Sequence, residues 1–212
     1  MSVVNLKSVD ELEKIIGTNI VKLGTGAEGI AYLSLNDNCV YKVLTDFEYE
    51  DKIEDIITSF DINLKYILLP EDLYVCDNHL IAYKTKYISK NLFDKRNYNI
   101  KDINFDNLII AYKNILKEVK LLSSNKIKTC DITFNLLFDG KDLYVIDTCG
   151  YRKVNKDINE IYRCNKLYLS EAIKDILSIY MRKDLSLDKY NKLVYIQDIE
   201  EQLNEIKNSI KR

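Results

Sequence analysis

The stretch Thr129 to Gly150, TCDITFNLLFDGKDLYVIDTCG, decides the reading of this chain. Leu136-Leu137-Phe138 is a short apolar strand, and Leu143-Tyr144-Val145-Ile146 is the return strand. Asp139-Gly140 between them is a hairpin signal, because glycine tolerates the positive φ that a two-residue turn needs. Three polar residues lie just outside the hairpin: Asp131 and Asn135 before it, Asp147 after it. Folding the strands back brings Asn135 and Asp147 to the same open end. A carboxylate beside an amide oxygen, both on loop backbone, suits a hard cation such as magnesium. A second carboxylate slightly upstream, Asp131, can meet an incoming hydroxyl. That is the layout of a phosphoryl-transfer site. The same residues would also serve an ordinary surface hairpin with polar ends, so the rest of the chain has to discriminate.

Upstream, Ile20-Val21-Lys22-Leu23 reads as a strand that runs into Gly24-Thr25-Gly26-Ala27-Glu28-Gly29. Dinucleotide-binding folds carry this glycine spacing too, but there the last glycine opens a helix. Here β-prone residues follow (Ile30 to Leu35), then a turn at Asn36-Asp37-Asn38 and another strand, Cys39 to Leu44, with Lys42 inside it. A dinucleotide fold is therefore disfavoured, and the hairpin turns argue against its parallel sheet. Glycines at such a turn let backbone N–H groups approach phosphate oxygens. The bland alternative for Lys42 is a solvent-facing edge lysine.

These two stretches together resemble the protein-kinase-like superfamily, which includes protein kinases and small-molecule kinases similar to aminoglycoside phosphotransferases. Asp131-x-x-x-Asn135, the hairpin, and Asp147-x-x-Gly150 are similar to its catalytic and metal loops. The usual His-Arg-Asp reads Thr129-Cys130-Asp131, the step from aspartate to asparagine is one residue shorter, and Asp-Phe-Gly is replaced by Asp-Thr-Cys-Gly. The resemblance covers residues 20 to 180 and implies a set of roles. Gly24, Thr25, Gly26 and Gly29 would cover the phosphates of ATP, and Lys42 would reach the α- and β-phosphates. Glu50 on the stripe Tyr49, Ile53, Ile56, Ile57, Phe60 would pair with Lys42, with Glu54 as runner-up. Lys86 and Ile88 would offer hinge backbone to the adenine. Asn135 and Asp147 would hold Mg2+, and Asp131 would orient or deprotonate the acceptor hydroxyl.

The remaining segments fit that frame. Val9 to Ile16 is a short amphipathic helix, with Ser8 as N-cap and Gly17 as its stop. Leu73 to Cys76 and Leu80 to Thr85 form a hairpin around Asp77-Asn78-His79, and His79 carries no assigned role. Asn91 to Ile103 reads as polar loop. Leu108, Ile109, Tyr112, Ile115, Leu116, Val119 and Leu122 make one helical stripe over Phe105 to Leu122. Leu167 to Arg182 and Leu187 to Ile210 read as two further helices.

Composition sets the outer bounds. The 212 residues are 47% hydrophobic with a formal charge of −2, and the pI is about 5.6. Such a chain has enough apolar mass for a core and no basic excess to recommend a nucleic-acid partner. No apolar run has the length of a membrane span, and the N-terminus lacks a signal peptide's apolar block. The five cysteines show no C-x-x-C spacing and fit reduced thiols of a cytoplasmic protein. The expectation is an α+β, two-lobed kinase-like fold. Residues 1–88 form an antiparallel-sheet lobe and 89–212 a reduced, mainly helical lobe. Its expected activity is ATP-dependent phosphoryl transfer to a hydroxyl on a protein or small molecule. The alternative, motivated by the shortened loop, is a pseudokinase acting as a nucleotide-binding or interaction module.

Overall fold

The structure is a computed structural model and describes residues 1–45, 62–94, 99–130, 132–133 and 135–210. Glu50, Glu54 and Asp131 lie outside the described residues, so the roles expected of them are neither placed nor displaced here. The fold is mixed α+β, with a six-stranded, mostly antiparallel sheet and five α-helices among the described residues. The chain divides into two compact units, Met1–Asn63 with Leu68–Tyr87 and Leu64–Ile67 with Ile88–Arg212.

The first unit contains β1 (Ser2–Leu6), α1 (Val9–Ile16), β2 (Ile20–Thr25), β3 (Gly29–Ser34), β4 (Cys39–Leu44), β5 (Asp72–Cys76) and β6 (His79–Lys86). The strand order is β1-β5-β6-β4-β3-β2. All neighbours are antiparallel except β1 and β5, which run parallel from Ser2↔Asp72 to Leu6↔Cys76. The all-antiparallel expectation is corrected at that edge. No turn signal links β1 to a partner 70 residues away, so sequence periodicity could not find it. Asp77 and Asn78 both take positive φ, 51° and 66°, which is the primed turn that matches strand twist. His79 is consequently the first residue of β6 rather than part of the turn. Helix α1 ends at Gly17, whose φ of 77° no β-carbon residue adopts readily. Its buried face, Leu12 and Ile16, packs with Tyr41, Tyr74, Cys76, Ile81 and Ala82 on one side of the sheet.

The second unit contains a 3₁₀ turn at Ile100–Asp102, within the stretch expected to be loop. It continues with α2 (Phe105–Ser124), β7 (Ile127–Lys128), β8 (Leu136–Phe138), β9 (Leu143–Val145), β10 (Arg152–Lys153), α3 (Ile158–Asp184), α4 (Leu187–Val194) and α5 (Ile199–Ile210). Its core is an α2–α3 pair. Leu108, Ala111, Tyr112, Ile115, Val119 and Leu122 of α2 are buried, as are Leu169, Ala172, Ile173, Ile176, Leu177 and Tyr180 of α3. The Tyr112 hydroxyl lies 3.0 Å from Ser170 Oγ, and burial pushes its phenol up to about 12 although that hydrogen bond acts the other way. Side-chain caps set the helix starts. Asn104 Oδ1 accepts from the N–H groups of Asp106 and Asn107, and Asp157 Oδ1 from those of Asn159 and Glu160. The second cap starts α3 nine residues before Leu167, through a polar stretch whose stripe is too sparse to read. The single helix expected over Leu187 to Ile210 is two. Asp198 breaks it by taking the Glu201 N–H at 3.0 Å, the N-cap role aspartate favours.

Segment Leu64–Ile67 belongs to the second unit for a visible reason. The Glu118 carboxylate on α2 accepts the backbone N–H groups of Lys65, Tyr66 and Ile67 at 2.7, 2.9 and 2.9 Å. Ile67 bridges Val145 in parallel. No described helix is long and apolar enough to cross a membrane.

Candidate functional site

Two groups of predicted site residues are described, one in each unit. In the first, β2 and β3 form the glycine hairpin, paired through Gly24↔Ala31 and Thr25↔Ile30 with a register shift between Lys22 and Gly24. The strands run further into the glycine stretch than expected, leaving only 26–28 as the turn, closed by Gly26 N–H on the Gly29 carbonyl at 2.8 Å. The three glycines are not equivalent. A β-carbon at Gly29 would sit 2.2 Å from the Val43 carbonyl oxygen, so β4 leaves it no space. At Gly24 it would meet nothing within 4 Å, and at Gly26 only the Gly29 carbonyl oxygen at 3.8 Å. Gly29 is thus required by packing, whereas Gly24 and Gly26 leave the outer face of the turn open.

Lys42 lies on β4, opposite Ala31 on β3 and Tyr83 on β6. It is 9% exposed. Its ammonium is 3.2 Å from Glu28 Oε2 and 5.9 Å from the centroid of the Tyr83 ring. Glu28, inside the glycine turn itself, was missed in the sequence because the resemblance looked for the lysine's partner on a helix. The signal available was a lone acid among the glycines. The same position of the turn is tied to β4 by Thr45 N–H on the Glu28 carbonyl at 3.0 Å. Lys86 is the exposed last residue of β6, and Ile88 follows in the connecting segment.

In the second unit, the hairpin β8–β9 pairs Leu136↔Val145 and Phe138↔Leu143. Its connection is a four-residue loop, not a two-residue turn. The Asp139 carboxylate takes the N–H groups of Lys141 and Asp142 at 2.8 and 2.7 Å, and Gly140 takes a φ of 101°. At the open end, the Ile146 N–H donates to the Asn135 carbonyl at 2.9 Å. That bond extends the ladder by one step and leaves Asn135 beside the residue that precedes Asp147. Asp147 then turns the chain with a φ of 58°, a left-handed backbone that aspartate tolerates better than most residues. Among the described residues no three or more His, Cys, Asp or Glu cluster as a metal site. Magnesium takes few protein ligands and completes its shell with water and phosphate oxygens.

The loops on either side are held from below. Asn165, fully buried on α3, accepts from Thr129 N–H at 2.9 Å and Thr129 Oγ1 at 3.1 Å, and donates to Ser123 Oγ and the Ile127 carbonyl. It thereby fixes the segment entering residue 131 to the end of α2. Sequence reading missed it; the clue was an asparagine spaced four residues from both Ile161 and Leu169 on one helical face. Gly150 lies against Cys130, since a β-carbon there would be 2.5 Å from the sulfur. The Arg152 guanidinium donates to the carbonyls of Cys149 and Tyr151, pinning the turn after Asp147.

No protein-family model matches the chain, and no curated protein matches it either.

Proposed function

We propose that the chain is an ATP-dependent phosphotransferase with a two-lobed, kinase-like fold, acting in the cytoplasm. The observation that carries the reading is the Asn135–Ile146 backbone bond immediately before Asp147, which sets an amide and a carboxylate on one hairpin end. The nearly buried lysine beside a glycine turn with open faces supports it independently. In this reading Gly24, Thr25 and Gly26 lie over the phosphate oxygens, with the Gly26 N–H held by the Gly29 carbonyl, and Gly29 keeps the turn close to β4. Lys42 leaves Glu28 to bind the α- and β-phosphates. Lys86 and Ile88 offer backbone groups to the adenine edge.

Asn135 and Asp147 would hold Mg2+, which when bound neutralises charge on the phosphates. Asp131 takes the acceptor's proton as the hydroxyl oxygen forms its bond to the γ-phosphorus; the bond to the bridging oxygen breaks and ADP leaves with that electron pair. Positioning and charge stabilisation account for most of such catalysis. One observation favours the pseudokinase reading instead: Glu28 already occupies Lys42.

The experiment is a thermal-shift titration with Mg-ATP, followed by turnover. Wild type should shift, Lys42→Ala and Asp147→Asn should shift less, and Asp131→Ala should keep binding but lose turnover. No shift, and no competition by an adenine analogue, removes the nucleotide reading. Binding without turnover on any acceptor selects the pseudokinase.

A further inference from the structure

Two of the chain's five cysteines, Cys130 and Cys149, stand on the two loops of the second unit that flank residues 131 and 147. The fold brings those loops together. β7 and β10 pair Lys128↔Arg152 and Ile127↔Lys153. Carried two places further, the same register sets Gly150 across from Cys130. The contact is direct, because a β-carbon on Gly150 would lie 2.5 Å from the Cys130 sulfur. Cys149 precedes Gly150 and is therefore the diagonal neighbour of Cys130, with α-carbons about 6 Å apart in a ladder of ordinary dimensions. A disulfide spans α-carbons roughly 4.4–6.8 Å apart.

In a regular strand Cys149 would point to the face opposite Cys130. It does not lie in one. The Tyr151 N–H donates to the Thr148 carbonyl at 3.1 Å, which closes a four-residue turn with Cys149 at a corner. Strand alternation therefore does not dictate where its side chain goes. Arg152 grips this turn through the Cys149 carbonyl, a backbone contact that does not involve the sulfur. The two thiols also differ in access. Cys130 lines a cleft of about 600 Å³, whose walls include Gly150 but not Cys149. Both are half-buried, whereas Cys76 is buried. Cys130 is thus placed to meet a small oxidant first, and Cys149 to resolve the product.

We propose that Cys130 and Cys149 form a reversible disulfide when the protein meets a low-molecular-weight disulfide such as oxidised glutathione. The Cys130 thiolate attacks one glutathione sulfur, forms a mixed disulfide and expels a glutathione thiolate. The Cys149 thiolate then attacks the Cys130 sulfur and expels the second glutathione. Each leaving thiolate takes up a proton that a cysteine thiol gave up, so two protein thiols are oxidised and one small disulfide is reduced. Bridges of this kind in reducing compartments are transient and regulatory. The consequence for activity rests on the phosphotransferase reading. The bridge ties the neighbour of Asp131 to the turn after Asp147, and a site that tolerates displacements of only about 0.5 Å is switched off by it.

The test is incubation of the reduced, folded protein with oxidised glutathione, without nucleotide, then alkylation of the remaining thiols and peptide mass mapping. Wild type should lose two thiols to one Cys130–Cys149 bridge, and dithiothreitol should restore both. Cys149→Ser should stop at a glutathione adduct on Cys130, accumulating about fivefold more of it than wild type. Cys130→Ser should form no bridge, and Cys164→Ser should behave as wild type. No bridge in wild type, a bridge between any other pair, or an adduct on Cys130 that wild type does not resolve overturns the proposal. Mapping of wild type decides this alone, whether or not a variant folds. Mg-ATP titration of the reduced and bridged protein reads the switch, the bridged form needing about fivefold more Mg-ATP or more. Equal titrations before and after bridging overturn the switch. A bridge with no Mg-ATP response in the reduced protein leaves the disulfide standing and removes the nucleotide reading.

Discussion

The two hairpins that carry the proposed chemistry are built in opposite ways. Every residue of β2 is exposed, including Ile20, Val21 and Leu23 at 38–46%, and β2 is the sheet's edge. By contrast, Leu136, Phe138, Leu143 and Val145 of β8–β9 are at most 2% exposed. That hairpin is bonded on both flanks: Val145 N–H donates to the Tyr66 carbonyl, and Leu92 N–H to the Phe138 carbonyl. Phe138 also packs against Phe93, the rings tilted and their centroids 5.5 Å apart. The difference teaches which part of each hairpin needs rigidity. In the proposed function, metal ligands at an open end must be held within about 0.5 Å, which a packed core supplies. In the same proposed function, a turn that covers phosphates must admit and release them, so a thin edge serves better.

The largest effect should come from attacking the buried hairpin. Phe138→Ala should cost about 3–5 kcal/mol through the cavity it leaves, read from chemical denaturation. Val21→Ala on the exposed hairpin should stay within about 0.5 kcal/mol. Similar losses at both sites would erase the contrast.

Within the glycine hairpin the comparison sharpens. Gly29→Ala should cost about 1–3 kcal/mol, because the methyl meets the Val43 carbonyl and overpacks the strand pair. Gly24→Ala has open space and should leave the denaturation midpoint nearly unchanged while weakening Mg-ATP binding. If Gly24→Ala binds Mg-ATP as well as wild type, phosphates do not approach that backbone.

Glu28→Gln tests whether the turn's own acid competes with phosphate for Lys42. Glu28 is half exposed, and an ion pair of this kind is worth about 0–1 kcal/mol. The variant should therefore bind Mg-ATP up to about fivefold more tightly in a titration. Weaker binding would mean that Glu28 positions the lysine instead of shielding it.

The smallest effect is one of pH, at the far end of the β3–β4 hairpin. Burial acts to raise the Asp37 carboxyl, but hydrogen bonds from Tyr41 and Lys84 outweigh it and hold it below the ordinary 3.8. A depressed carboxyl contributes stability that is fully present above its unfolded value and is lost as pH falls through the folded one. The stability gap between wild type and Asp37→Asn should be constant from pH 7 to about 5 and close below about pH 4. A gap that widens in acid would reverse that sign.

The hairpins, α1 and α2 were legible in the sequence, because alternation, turn residues and 3.6-residue stripes are local signals. So were the positions of Asn135 and Asp147 at one hairpin end, since pairing two short strands across a turn leaves little choice. Other features depended on partners distant in the chain. β1 finds its parallel partner through 70 residues, Asn165 clamps Thr129 from another helix, and Gly29 is required because β4 lies against it. Lys128 and Arg152 face each other only once β7 meets β10. The sequence by itself determined the hairpin strands, α1 and α2 and which of their faces are apolar, since these follow from each residue's neighbours. Tertiary structure alone decided which charges and backbones meet, because those contacts exist only after the intervening chain has folded.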